Sequence, residues 1–135
     1  MGRDVIRVVS AVIERDQRYL LTQRTKTAVF PLLWEFPGGK VESGESEMDA
    51  LAREVLGRIG TEIIVEEKIG ERIHTYDAYD VQLSLYACKV PPNVTPKAVG
   101  VNDVRWVASS DLEQYEFPPA DQKSMAELLN IQLIH

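Results

Sequence analysis

Residues 39–60 read GKVESGESEMDALAREVLGRIG, and this stretch organises the rest of the chain. Ser46, with Asp49 three residues later, has the spacing of a helix N-cap and its returning acid. Met48, Leu51, Ala52, Val55, Leu56 and Ile59 recur every three or four residues. That spacing predicts one amphipathic helix with an apolar stripe. Gly60 suits the C-terminal cap, where a left-handed residue ends the helix. The opposite face is expected to carry Glu47, Ala50, Glu54, Gly57 and Arg58. Gly57 lies inside this helix, where a glycine costs about 1 kcal/mol relative to alanine.

Upstream of the helix, residues 5–13 are mostly β-branched and predict a buried strand. Residues 14–17 form a polar turn, and residues 18–24 return as a second strand, which makes a hairpin. Residues 25–33 are a loop. Trp34, Glu35 and Phe36 form a short strand that Pro37, Gly38 and Gly39 stop. Downstream, residues 62–74 and 81–90 read as longer strands, with a proline-rich loop at 91–96. A short strand at 104–107 and a helical turn opening at 109–112 follow. A final amphipathic helix is expected over 120–131, entered through Phe117, Pro118 and Pro119. The order of strands, helix, strands and helix predicts an α+β domain, layered α/β/α, with a mixed sheet.

The 135 residues and 44% hydrophobic content suit one soluble domain with one core, here read as 1–135. The formal charge of −6 argues against broad binding to duplex nucleic acid. It is compatible with a phosphate-bearing small molecule held by a few placed cations or by metal. No run approaches the roughly 18 apolar residues of a membrane span. Cys88 stands alone in an alternating apolar run, which predicts a core thiol and a reducing, cytoplasmic setting. Oligomeric state cannot be read from the sequence.

The chemistry concentrates near the helix. Glycines at 38 and 39 let backbone approach a ligand closely. An acidic loop with Glu42 and Glu45 leads into a helix bearing Glu47, and Glu54 lies two turns further along the same side. Convergent carboxylates suit a hard cation, Mg²⁺ or Mn²⁺, shared with phosphate oxygens. An acidic, solvated helix face is the plainer alternative.

The spacing resembles the Nudix box: Gly, five residues, Glu, seven residues, Arg-Glu, aliphatic, any residue, Glu-Glu, any residue, Gly, aliphatic. Gly39, Glu45, Arg53, Glu54, Val55 and Gly60 fall on it, and LWEFPGGKVESGES with ALARE adds specificity. Gly57 and Arg58 occupy the Glu-Glu positions. The similarity to MutT-like Nudix hydrolases runs from Val5 to Ile131. It implies the Nudix α/β/α sandwich and a metal-dependent attack of water on a nucleotide diphosphate linkage. Position by position, it implies metal contact through the Gly38 carbonyl, a metal-ligand or base role for Glu54, carboxylate orientation by Arg53, and loop support by Glu45. It also implies nucleotide or phosphate contacts from Arg24 and Lys40, and a base contact from Asp121 in the FPPAD segment.

The resemblance also implies damage. Gly57 offers no ligand, and Arg58 sets a permanent cation where a carboxylate belongs. Arg58 is placed to pair with Glu54 four residues back, or to meet a phosphate itself. Glu42, Glu47, Glu71, Asp77, Asp80 and Asp103 are the acids that could refill the site. Trp34, Phe36, Tyr76 and Tyr79 offer stacking surface, although each also suits a core. Asp121 equally suits the start of a helix, where its charge meets the helix dipole. His74 reads as structural. The expected ligand is a nucleoside triphosphate, oxidised or pyrimidine. Three readings stand at this point: a slow pyrophosphohydrolase giving monophosphate and pyrophosphate, a nucleotide-binding domain without turnover, and a protein-interaction module.

Overall fold

In the computed structural model, residues 4–121 are described. The long first strand, β1 (Asp4–Arg15), turns through Asp16 and Gln17 into β2 (Arg18–Gln23). Both turn residues have positive φ, 52° and 64°. This twists the two-residue connection in the sense that antiparallel strands require. Two short strands follow, β3 (Trp34–Glu35) and β4 (Gly38–Lys40), and then the helix α1 (Glu47–Ile59). The chain continues through β5 (Ile64–Thr75), β6 (Tyr79–Lys89) and β7 (Asp103–Ala108) into a 3₁₀ segment at Ser109–Gln114. Of the final helix expected over 120–131, only residues 120 and 121 lie within the described part of the chain.

The sheet is mixed, as expected. β1 pairs in parallel with β6 from Asp4↔Tyr79 to Ile13↔Cys88, and β5 runs antiparallel to β6. At its far end β1 passes to β2, which carries β3 and β7 as antiparallel neighbours. The two strand groups therefore share β1. Its alternating side chains feed two cores, one on each face. Val9, Ala11 and Ile13 pack with Leu20, Tyr86, Cys88 and the helix residues Ala50, Leu51, Val55 and Ile59. Val12, Leu21, Phe36, Leu83, Leu85, Leu112 and Phe117 fill the other. Cys88 is a core thiol; burial first, and then the charge of Glu66, push it up to about 12.

Two local expectations change. The strand at Trp34–Glu35 does end before Pro37, but Gly38 and Gly39 then open a new strand, residues 38–40, paired antiparallel to Val8–Ser10 of β1. A β-carbon on Gly38 would collide with the backbone of Val9 and Ser10. Here the glycine serves the close approach of two chains. The helix begins and ends as expected. Ser46 Oγ accepts from the Asp49 N–H at 3.1 Å, and Gly60, at φ 70°, donates to the Leu56 carbonyl. Its buried stripe, however, is Ala50, Leu51, Val55 and Ile59. Met48 and Leu56 are half exposed, at 47% and 49%. The stripe is thus rotated relative to the one expected. Glu47, Glu54 and Arg58 are half-buried along its border instead of standing opposite it.

Candidate active site

That border is where the helix meets β4 and a cleft. Arg53 organises it. Its Nε and terminal nitrogens donate to both oxygens of Glu45 at 2.8 and 2.9 Å, to Glu54 Oε1 at 2.9 Å and to the Lys40 carbonyl at 2.9 Å. The Glu45 carboxylate also accepts the Glu42 N–H at 2.9 Å. The Arg53 bonds, and then that backbone bond, hold Glu45 down to about 2, and the two glutamates raise Arg53 in return. The second oxygen of Glu54 accepts from Arg58 Nε at 3.3 Å, as the four-residue spacing permits. Glu54 thus lies between two guanidinium groups, and its carboxylate sits against Gly39, where a β-carbon would displace it.

The adjoining cleft has a volume of about 360 Å³. Strands β1 and β6 contribute Ile6, Val8, Ser10, Val81 and Leu83 to its lining, and Phe30, Tyr76 and Tyr79 form an aromatic wall. The Tyr76 ring lies 5.2 Å from that of Tyr79 and 5.9 Å from that of Phe30, both tilted by roughly a third of a right angle. Gly38, Gly39, Lys40 and Arg58 line the cleft from the side of β4 and α1. Arg24, Glu35 and Asp121 also face it.

Arg24 donates twice to Glu35, at 2.9 and 3.2 Å, with both side chains largely buried. Burial nevertheless raises the Glu35 carboxyl; Arg24 and Arg58 pull it back only in part, and the charge of Glu54 adds to the rise. Asp121 is pushed up to about 7, by burial first and then by the neighbouring Glu35, with Arg24 opposing. Two carboxyls near one guanidinium in a site of low polarity cannot both ionise freely.

Nine of the residues singled out in the sequence line this cleft: Arg24, Phe36, Gly38, Gly39, Lys40, Arg58, Tyr76, Tyr79 and Asp121. Phe36 does so mainly as core, 2% exposed and edge-on to Phe117. Glu45, Arg53 and Glu54 form the ion cluster beside it. Trp34 points elsewhere, packing on Tyr115 and under Arg105. Glu35 and Phe30 were not anticipated. A lone charge inside the apolar run LWEF was the available sign for Glu35, since such a charge must find a partner.

The acids proposed to refill the metal site do not line the cleft. Glu47 accepts from Tyr86 Oη at 2.6 Å, Ser84 Oγ at 3.0 Å and Lys68 Nζ at 3.2 Å. Burial pushes its carboxyl up, but those three bonds outweigh it and hold the group down to about 2. Glu71 is bonded to Gln82 and Lys68, and Asp103 to the Val104 N–H and Arg105. Among the described residues no three His, Cys, Asp or Glu side chains gather closely enough to hold an ion. A magnesium or manganese ion needs several oxygen ligands and a negative surround. Glu54, engaged on both oxygens and flanked by Arg58, does not supply them. The described residues do not fit such an ion.

Residues 8–127 match the NUDIX domain family. The chain belongs to that family. Curated Nudix relatives include the CTP pyrophosphohydrolase of Escherichia coli (strain K12), 37% identical over 118 residues, which span 87% of this chain and 86% of the relative. A putative 8-oxo-dGTP diphosphatase 2 of Mycobacterium tuberculosis is 33% identical over 122 residues, spanning 90% and 86%. Among solved structures, the E. coli ORF135 protein superposes with a TM-score of 0.81 at 32% identity, covering 96% of this chain and 92% of that one. The MutT protein of methicillin-resistant Staphylococcus aureus 252 gives 0.76 at 34% identity, covering 96% and 98%. The α+β Nudix fold with its mixed sheet is thus established. No helix among the described residues is long and apolar enough to cross a membrane.

Proposed function

We propose that this Nudix domain takes a nucleoside triphosphate into the cleft beside α1 and hydrolyses it only slowly to nucleoside monophosphate and pyrophosphate. The relatives' named substrates, CTP and 8-oxo-dGTP, define the ligand class. The observation that carries the slow rate is Glu54 held between Arg53 and Arg58, with no group of three acids or other ligands gathered around it among the described residues. The base fits the aromatic wall of Phe30, Tyr76 and Tyr79, since a slot of this kind combines apolar surface with a few polar groups. Asp121 and the Arg24–Glu35 pair supply those groups. A protonated Asp121 donates a hydrogen bond to a base edge and an ionised one accepts, so its raised pKa bears on which base is held. Gly38, Lys40 and Arg58 lie on the side where phosphates meet the box helix.

One feature favours binding over turnover: Arg58 neutralises the carboxylate that would otherwise serve the reaction. The deciding experiment measures pyrophosphate release from a panel of canonical and oxidised triphosphates with Mg²⁺ or Mn²⁺. It compares the unaltered chain with Gly57→Glu/Arg58→Glu. A β-carbon at residue 57 meets no atom within 4 Å, so the first substitution has room. Restoration is expected to raise the rate by at least ~10²-fold, the scale of one well-placed electrostatic group in a reaction. Fast turnover by the unaltered chain, or no gain in a folded double variant, would overturn the reading.

A further inference from the structure

The misfit between this site and a divalent cation has a counterpart in what Arg58 offers. Its Nε is engaged by Glu54 and its charge also acts on Glu35, but its two terminal nitrogens make no hydrogen bond among the described residues, and the side chain lines the cleft. Lys40, on β4, lines the same cleft and has no acidic partner among the described residues. Gly39 lines the cleft beside them, with the Glu54 carboxylate packed against it.

Arg58 is also held in place. Its carbonyl accepts the N–H groups of Val99 and Gly100 at 3.0 and 3.1 Å, and the Ile59 carbonyl accepts that of Lys97 at 3.0 Å. These bonds satisfy carbonyls that a helix end leaves open, so the last turn is tied to loop 97–100. A β-carbon on Gly100 would strike the Gly57 carbonyl, which shows how closely that loop is seated. Arg24, by contrast, is spent on Glu35. Arg53 and Arg58 flank Glu54, and Lys40 adds a further cation on the same bank of the cleft.

From this geometry we infer that Arg58 and Lys40 hold the polyphosphate directly, and that the ligand bound is the free nucleoside triphosphate anion, not its magnesium complex. A guanidinium with an open edge matches two phosphate oxygens, and an ammonium adds a point charge. Magnesium already on the phosphates neutralises the charge that these groups recognise, and it meets Arg58 as a like charge. Divalent cation therefore weakens binding here, whereas in a site with acidic ligands it strengthens it. This inference rests on the nucleotide reading of the cleft, but it concerns how phosphates are held, not whether they are cleaved.

The test is calorimetric titration of the whole chain with CTP and, separately, with inorganic triphosphate, each in EDTA and each in excess Mg²⁺. Both are expected to bind in EDTA and to bind more weakly with Mg²⁺. Arg58→Ala weakens both in EDTA by roughly 10- to 100-fold, the range of one or two charge-assisted hydrogen bonds. Arg58→Lys recovers part of the loss. In Gly57→Glu/Arg58→Glu the magnesium effect reverses sign. Thermal melting confirms that each variant is folded. Inorganic triphosphate binding without CTP binding leaves the phosphate inference standing and sinks the base assignment. No binding of either anion in EDTA, tighter binding with Mg²⁺ in the unaltered chain, or indifference to Arg58→Ala overturns it. Pyrophosphate release is read separately, so failure of the slow-hydrolysis proposal is distinguishable from failure of this one.

Discussion

Asp121→Asn is expected to change the pH dependence of stability in a way that no surface substitution would. The Asp121 carboxyl is nearly buried beside Glu35 and sits at about 7, against about 3.9 in an unfolded chain. A carboxyl whose folded value is raised favours the native state while protonated. That advantage is complete below pH ~4 and is lost as pH rises through ~7. In the window between, the unfolded chain has released the proton and the native chain keeps it, so stability falls by about 1.4 kcal/mol per pH unit. The full loss is on the order of 4 kcal/mol. Asparagine has nearly the same shape and nothing to titrate. Urea unfolding followed by tryptophan fluorescence at intervals from pH 4.5 to 8.5 reads the difference directly. The variant's stability should decline less steeply than the parent's between pH 5 and 7, and the two curves should run parallel above pH ~8. Glu35 is present in both chains, so its own titration largely cancels. A slope difference below about 0.3 kcal/mol per pH unit would refute the claim that Asp121 is buried against a like charge.

Other perturbations test the helix and its neighbours. Ser46→Ala removes the bond to the Asp49 N–H and should cost about 1 kcal/mol in thermal or urea unfolding. Gly57→Ala should add up to ~1 kcal/mol, because the residue is helical and its β-carbon meets open space; destabilisation would show that the glycine serves backbone packing. Glu47 is held down to about 2, so it supports the fold above its ordinary value and that support fades as pH falls toward 2. Glu47→Gln should therefore be less stable near neutrality and lose less on acidification, as followed by circular dichroism from pH 5 to 2.

Local chemistry was legible where it is decided locally. Ser46 with Asp49 marked the helix start, Gly60 its end, and a polar four-residue stretch the first hairpin. What escaped depended on partners distant in sequence. Gly38–Lys40 reads as a stop until β1 lies alongside, because nothing in PGG announces a strand. The helix stripe was misjudged because Met48 and Leu56 count as apolar by type, whereas burial followed Ala50, the small residue facing the sheet. That rotation is why Glu54 and Arg58 border the cleft instead of facing solvent. Glu35 escaped because in an alternating strand a charge ordinarily points to water. The nine cleft residues were found only because a spaced motif named their neighbourhood; composition and periodicity alone would have left most of them scattered.

The parallel ladder between β1 and β6 joins each residue to one 75 positions later. Ile6 and Val8 meet Val81 and Leu83 across it, and all four line the cleft. During synthesis the N-terminal strand must therefore wait for more than half of the chain before its edge is covered. Contacts this remote slow folding and leave apolar edges open to other chains in the meantime. A nascent chain halted before residue 79 would already have the box helix yet still lack the opposite bank of the pocket, so ligand affinity should arise late and abruptly as translation proceeds.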